Sequence, residues 1–243
     1  MARPFRDLLR RFGLDYVKAP IAHWRRIAEM LDDAGVTVLL DVGANEGQYV
    51  GYLRNAGWTG RVVSFEPVAA VHARLAVNAA RDAAWQVAPA MALGAADGEA
   101  EITVSQESDM SSLLPLRDEI LRVSPSSAAA GTETVTVRRL DAVFDDFVGA
   151  GDRAFLKIDT QGSEQAVLDG AAKTLPMLAG LQVELSLTPL YEGEAGWRAL
   201  VERIEGAGFA LGFVLPGYYD RHLKRMLQFD GVFMRRGAPG APP

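Results

Sequence analysis

Apolar residues along the chain alternate between short, nearly continuous runs and longer stretches with helical spacing. Val36-Thr37-Val38-Leu39-Leu40-Asp41-Val42 is a β-branched apolar run, as expected of a strand buried on both faces. Glycines follow, then Tyr49, Leu53 and Ala56 at helical spacing until Gly57 stops the helix. The same reading predicts a strand at 61–65, a helix at 69–82 and a strand at 85–92, with a weaker strand at 101–105 and a strand-like alternation at 134–137. A buried strand at 154–159 leads into a helix from Ser163 to about Leu175, and another strand covers 181–184. Trp197, Leu200, Val201 and Ile204 mark an amphipathic helix ended by Gly206 and Gly208, and strands near 209–215 and 227–234 close the pattern. Alternating strands and helices imply an α/β fold with a mostly parallel sheet and helices on both faces.

Other segments frame this domain, which spans residues 36–236. Phe5, Leu8, Leu9 and Phe12, and then Trp24, Ile27, Ala28 and Leu31, each fall on one helical face, so residues 1–35 read as an N-terminal helical extension. Residues 107–133 are Ser/Ala-rich, proline-punctuated and too long for an ordinary connection, which suggests an insertion or lid. Residues 237–243, GAPGAPP, cannot build a core and are expected to form a disordered tail.

Composition narrows the function. The 243 residues carry a net charge of −6, 49% apolar residues and no cysteine. A chain of this size needs no disulfides to hold a core, and without cysteine it has no thiolate zinc site and no cysteine nucleophile. Net acidity argues against a general nucleic-acid binder. No apolar run approaches a membrane span and no signal peptide follows the basic start, so a cytoplasmic location is expected. The charge is uneven: residues 1–30 hold seven bases against three acids. That basic amphipathic opening either docks with its arginines in water or makes a weak peripheral contact with an anionic membrane.

The candidate chemistry gathers after the first strand, in Asp41-Val42-Gly43-Ala44-Asn45-Glu46-Gly47. Glycines at a strand-to-helix turn allow tight turning and close approach of a ligand, or serve packing alone. The spacing is G-x-x-x-G with an acid two residues ahead, unlike the dinucleotide fingerprint, and no Gly-Lys-Ser/Thr triplet follows. An acid there suits a ligand bearing an ammonium group. Glu66 ends the second strand nineteen residues after Gly47, where an acid in doubly wound folds takes ribose hydroxyls. Asp41, the turn and Glu66 together describe a site for an adenosine with an amino-acid tail.

With these motifs in place, DVGANEGQY, SFEP, LKIDTQGSEQAVLDGA and VELSLTPLYEG resemble the FkbM family of S-adenosylmethionine-dependent methyltransferases. The resemblance implies the Rossmann-like class I methyltransferase fold, a seven-stranded sheet with one antiparallel strand. It also implies methyl transfer to an oxygen of a hydroxylated small molecule such as a sugar, glycolipid or polyketide. By the same resemblance Gly43, Asn45 and Gly47 shape the methionine side, Glu66 takes the ribose, and the backbone near Met91 meets the adenine. Gln161 stands where many members carry Glu. Asp159, ending its strand, leads the candidates for a place near the sulfonium or acceptor, with Glu184 beside it and His222 as a second base. Glu164 opens the next helix, where the helix dipole alone favours an acid. Ser111 and Ser112 are candidate acceptor contacts on the lid. No metal-ligand spacing stands out, so no metal is assigned, although paired carboxylates are compatible with a divalent ion. A nicotinamide-dependent oxidoreductase and a non-catalytic cofactor-binding homologue are the alternative functions. The oligomeric state is not legible in the sequence.

Overall fold

The computed structural model describes residues 19–106, 110–123, 127–221 and 223–237. In chain order the elements begin α1 (Ala19–Asp33), β1 (Val38–Val42), α2 (Gln48–Ala56), β2 (Arg61–Phe65), α3 (Ala69–Ala79) and β3 (Trp85–Val87). They continue with β4 (Ala92–Leu93), β5 (Gly98–Ser105), α4 (Asp118–Val123), β6 (Ala129–Arg138), α5 (Leu140–Phe147), β7 (Ala154–Ile158) and α6 (Glu164–Asp169). The chain closes with β8 (Gly180–Ser186), α7 (Trp197–Gly206), β9 (Phe209–Pro216), β10 (Tyr219–Asp220), β11 (Arg225–Met226) and β12 (Gln228–Arg235).

Seven strands form one sheet in the order β3-β2-β1-β7-β8-β12-β9. β12 runs antiparallel to both neighbours, and the other pairings are parallel. This is the α/β sheet expected above, with its one antiparallel strand. Alternation along each strand divides the core. Val38, Leu40, Val42, Leu156 and Ile158 face α5, α6 and α7 through Val143, Phe144, Val167, Leu168, Leu200 and Ile204. On the opposite face Leu39, Val62 and Phe155 meet α1 and α2 through Ile27, Leu31, Val50 and Leu53. Each such fully buried side chain stabilises by about 1.5–3 kcal/mol relative to exposure. α1, expected as part of an extension, is therefore one of the helices covering the sheet.

Several boundaries differ for physical reasons. The expected strand 85–92 stops at Val87, because its one partner in the sheet, β2, ends at Phe65 and leaves nothing further to pair with. The chain then joins a second, three-stranded sheet in the order β4-β6-β5. Residues 129–133, assigned to the lid, belong instead to β6, which pairs antiparallel with β5. The helix expected from Ser163 to about Leu175 ends at Asp169, and Pro176 sits in a separate single turn, Leu175–Met177. Helix α5 was not expected, although Leu140, Val143, Phe144 and Phe147 show its spacing. The predicted helix at 5–12 and residues 238–243 lie outside the described residues. Among the described residues no helix is long and apolar enough to cross a membrane.

Candidate active site

The register of the sheet builds the site's foundation. Ser64, Asp41, Lys157 and Gln182 are direct neighbours across β2, β1, β7 and β8, so one lateral row of polar residues crosses an otherwise apolar face. All four are buried. The row is internally paired: the Trp85 indole N–H donates to Ser64 Oγ (2.9 Å), and Ser64 donates to Asp41 Oδ2 (3.2 Å). Lys157 Nζ lies 3.1 Å from Asp41 Oδ1 and donates to the Gly43 carbonyl at 2.9 Å. Tyr49 on α2 closes the row by donating to Gln182 Oε1 (2.8 Å). Burial alone would lower the Lys157 pKa, but Asp41 and then Asp159 more than reverse it, so the ammonium is held charged.

Above the row, the loop after β1 is stitched to the end of β2. The Gly43 and Ala44 amides donate to the Phe65 carbonyl, and the Asn45 amide donates to Glu66 Oε2 (3.0 Å). The other Glu66 oxygen accepts the Val68 amide at 2.9 Å. Burial raises the Glu66 pKa against the pull of those two amides. Both loop glycines take positive φ, 72° at Gly43 and 92° at Gly47. A Cβ on Gly43 would lie 1.8 Å from the Asp159 carbonyl oxygen, and one on Gly47 would lie 2.2 Å from the Trp85 ring. Packing against the protein itself thus requires glycine at both positions, rather than close approach of a ligand.

A cleft of about 660 Å³, part of it open to solvent, lies beyond the carboxyl ends of β1, β2 and β7. Gly43, Asn45, Glu66, Met91, Ser111, Ser112 and Asp159 line it, together with Phe65, Leu93, Thr160 and Gln161. Four expected site residues stand outside this wall. Asp41 is fully buried, and its ammonium partner is Lys157 of the same chain rather than a ligand. Gly47 packs on Trp85. Glu164 turns inward, its Oε1 accepting the Thr160 amide (2.9 Å), the Thr160 hydroxyl (3.1 Å) and the Gly162 amide (3.2 Å). Glu184 sits behind Gln161. His222 lies outside the described residues.

Gln161 is the hub, and it adopts a left-handed φ of 55°. Its Nε2 donates to Asp159 Oδ1 (2.9 Å) and to Glu184 Oε2 (2.8 Å), while its Oε1 accepts the Tyr191 hydroxyl (2.9 Å). The Ser112 hydroxyl donates to its backbone carbonyl, tying the loop after β5 to the site. Gln228 Nε2 donates to the same Glu184 oxygen at 2.7 Å. Glu184 and Asp230 are direct cross-strand neighbours. Burial first, then Asp159 and Asp230, pushes the Glu184 pKa well up. Burial likewise takes Asp230 to about 6 and Glu164 to about 7. Among the described residues no group of three or more His, Asp or Glu side chains is placed to hold a metal ion.

These raised carboxyl values set a pH dependence. As pH falls, the folded protein takes up a proton at Glu164 near pH 7, whereas the unfolded chain does so only near 4.5. Stability therefore rises from about pH 8 to about pH 5, and the ionised form is penalised above that window. Glu164→Gln keeps an oxygen to accept the Thr160 and Gly162 amides. Relative to wild type it should gain about 1–3 kcal/mol between about pH 5 and about pH 8. Urea unfolding at both values measures this, and an unchanged difference would remove ionisation of Glu164 as the cause.

A model of the methyltransferase FkbM domain matches residues 41–214. The chain belongs to the FkbM methyltransferase family. Its fold is the Rossmann-like fold of class I S-adenosylmethionine-dependent methyltransferases, and the nicotinamide alternative falls away. One similar solved structure is the O-methyltransferase TomG from Streptomyces achromogenes, involved in tomaymycin synthesis and solved with S-adenosylmethionine. It shares 13% identity at a TM-score of 0.50, covering 96% of this chain and 87% of that one. An rRNA methylase from Streptococcus thermophilus is 14% identical at a TM-score of 0.47, covering 90% of this chain and 98% of that one. No curated protein matches the sequence.

In this FkbM methyltransferase, sequence reasoning missed Lys157, Tyr49, Gln182, Asp230, Tyr191 and Gln228. A signal for Lys157 was present: a lysine inside Ala154-Phe155-Leu156-Lys157-Ile158 needs a buried partner, and Asp41 poses the same demand in its own strand. Which partner each finds depends on strand register.

Proposed function

We propose that this methyltransferase transfers a methyl group to a hydroxyl of a small, hydroxylated acceptor of the sugar, glycolipid or polyketide kind. The observation that carries the reading is a cleft with a buried ribose-type carboxylate, Glu66, on one side and a partly exposed carboxylate, Asp159, on the other. The residues present fit S-adenosylmethionine. Phe65, Met91, Leu93 and Ile102 offer an apolar wall for an adenine. Glu66 spends one acceptor site per oxygen on backbone amides and keeps further lone pairs for ribose hydroxyls.

When bound, the donor supplies a methyl group already activated on a sulfonium. The chain's own part is to hold the acceptor in line and to take its proton. Asp159 is the proton acceptor in this reading, oriented by Gln161 at 2.9 Å and by Lys157 at 3.5 Å. Gln161, Thr160, Ser111 and Ser112 supply polar contacts beside it. Lys and Arg are absent from the cleft's lining among the described residues, which suits an uncharged acceptor better than a phosphate backbone.

Calorimetric titration with S-adenosylhomocysteine tests the cofactor site. Glu66→Ala should weaken binding by about tenfold or more, the value of a lost charge-assisted hydrogen bond. Unchanged affinity in folded Glu66→Ala protein would end the ribose assignment. Labelled methyl transfer into a mixed extract tests catalysis. Binding without transfer to any component would favour the non-catalytic homologue.

A further inference from the structure

Away from the cleft, one surface combines exposed apolar and basic side chains at the same edge of the sheet. β9 runs parallel to β1 and ends at Pro216, so the hairpin formed by β10 and β11 lies beyond the carboxyl ends of the strands, on the cleft's side. Within it Tyr218 is 40%, Tyr219 54% and Leu223 41% exposed, and Arg221, Lys224 and Arg225 are exposed as well. Leu187, just past the end of β8, is also exposed, and its amide donates to the Leu227 carbonyl at the hairpin's base (2.7 Å). The hairpin is anchored where Asp220 and Leu227 are buried. Its base leads directly to the cleft, because Gln228 and Gln161 share one oxygen of Glu184.

The chain also enters the fold at this edge. Trp24, near the start of α1, contacts Tyr49, whose hydroxyl reaches the polar row. The far end of α1 meets Arg153, at the opposite edge of the sheet. Preceding α1 in sequence are Arg3, Arg6, Arg10, Arg11 and Lys18 against Asp7 and Asp15.

We propose that this edge docks on an anionic lipid surface through the Tyr218–Arg225 hairpin, with the cleft facing the membrane. Tyrosines favour the headgroup region, where an apolar ring and a polar tip are both satisfied. Exposed leucines add apolar area, and the basic side chains complement acidic headgroups. Exposed leucines, which cannot stack on bases, favour a bilayer over a nucleic acid. The orientation rests on the proposed site at the cleft, whereas lipid binding itself does not.

Cosedimentation of the full chain with vesicles decides the matter. Binding is expected to vesicles rich in phosphatidylglycerol and not to phosphatidylcholine alone, and it should weaken with added salt. Arg221→Gln/Lys224→Gln/Arg225→Gln should lose about a hundredfold in partitioning, at roughly fivefold per charge. Tyr219→Ser/Leu223→Ser should lose several-fold with every charge retained. Both variants should bind S-adenosylhomocysteine as wild type does, which separates loss of docking from loss of fold. Equal binding to both vesicle types, or an unaffected triple variant, overturns the proposal. So does binding lost on deleting residues 1–15 but kept in the triple variant. Charge-dependent binding to single-stranded RNA without vesicle binding assigns the hairpin to nucleic acid instead. Vesicle binding without S-adenosylhomocysteine binding keeps the docking surface and removes the cofactor reading.

Discussion

Replacing Lys157 by methionine is expected to destabilise the protein by about 3–5 kcal/mol, the cost of leaving a buried charge without its partner. Asp41 is fully buried, and Lys157 is the cation placed against it, at 3.1 Å. The same ammonium lies 3.5 Å from Asp159 and also tempers Glu66, Glu184 and Asp230, so five carboxylates feel it. The double variant Lys157→Met/Asp41→Asn should recover much of the loss, since it removes both charges together. Denaturant unfolding of the two single variants and the double variant measures the coupling. Strictly additive losses would show that the pair is not the source of the effect.

Gln161→Glu should make the protein's stability and cofactor affinity strongly dependent on pH. The wild-type amide donates to Asp159 and Glu184 at once, and a carboxylate there would place three acids within hydrogen-bond distance. Like charges so close cannot all ionise without a proton or a cation between them. The variant should lose about 1–3 kcal/mol near pH 8 and recover as the pH falls. An added divalent ion should give the same recovery at fixed pH. If thermal unfolding of the variant follows wild type across the pH range, the bridging role of the amide is wrong. Gln161 thus does with two N–H groups what a glutamate at this position would need a proton or cation to do.

Much of the fold was legible because local periodicity carries it. Val36 to Val42 and Ala154 to Ile158 read as buried strands, and they lie side by side in the sheet. The boundaries differ where tertiary pairing overrides a local pattern: β3 stops where its partner β2 ends, and the helix opened by Glu164 ends at Asp169, before Gly170. α5 carries the spacing of an amphipathic helix in Leu140, Val143, Phe144 and Phe147, so its signal is present in the sequence. The cleft was legible in part. Glu66 and Asp159 end strands, where α/β folds present ligands, and that position can be read from sequence.

The row beneath the cleft could not be read in this way. Asp41 looked like a ligand for an ammonium group, and it is one, but the ammonium belongs to Lys157, more than a hundred residues away in the chain. Gly43 looked like room for a ligand, yet the space is filled by the Asp159 carbonyl. From the sequence alone come the alternation of strands and helices, the turn after β1 and the acid ending β2, because each depends on neighbours a few residues apart. The tertiary structure alone decided that Ser64, Asp41, Lys157 and Gln182 form one row and that Gln161 bridges two carboxylates. Strand register sets those partnerships, and register is a property of segments far apart in the chain, fixed only when the sheet packs.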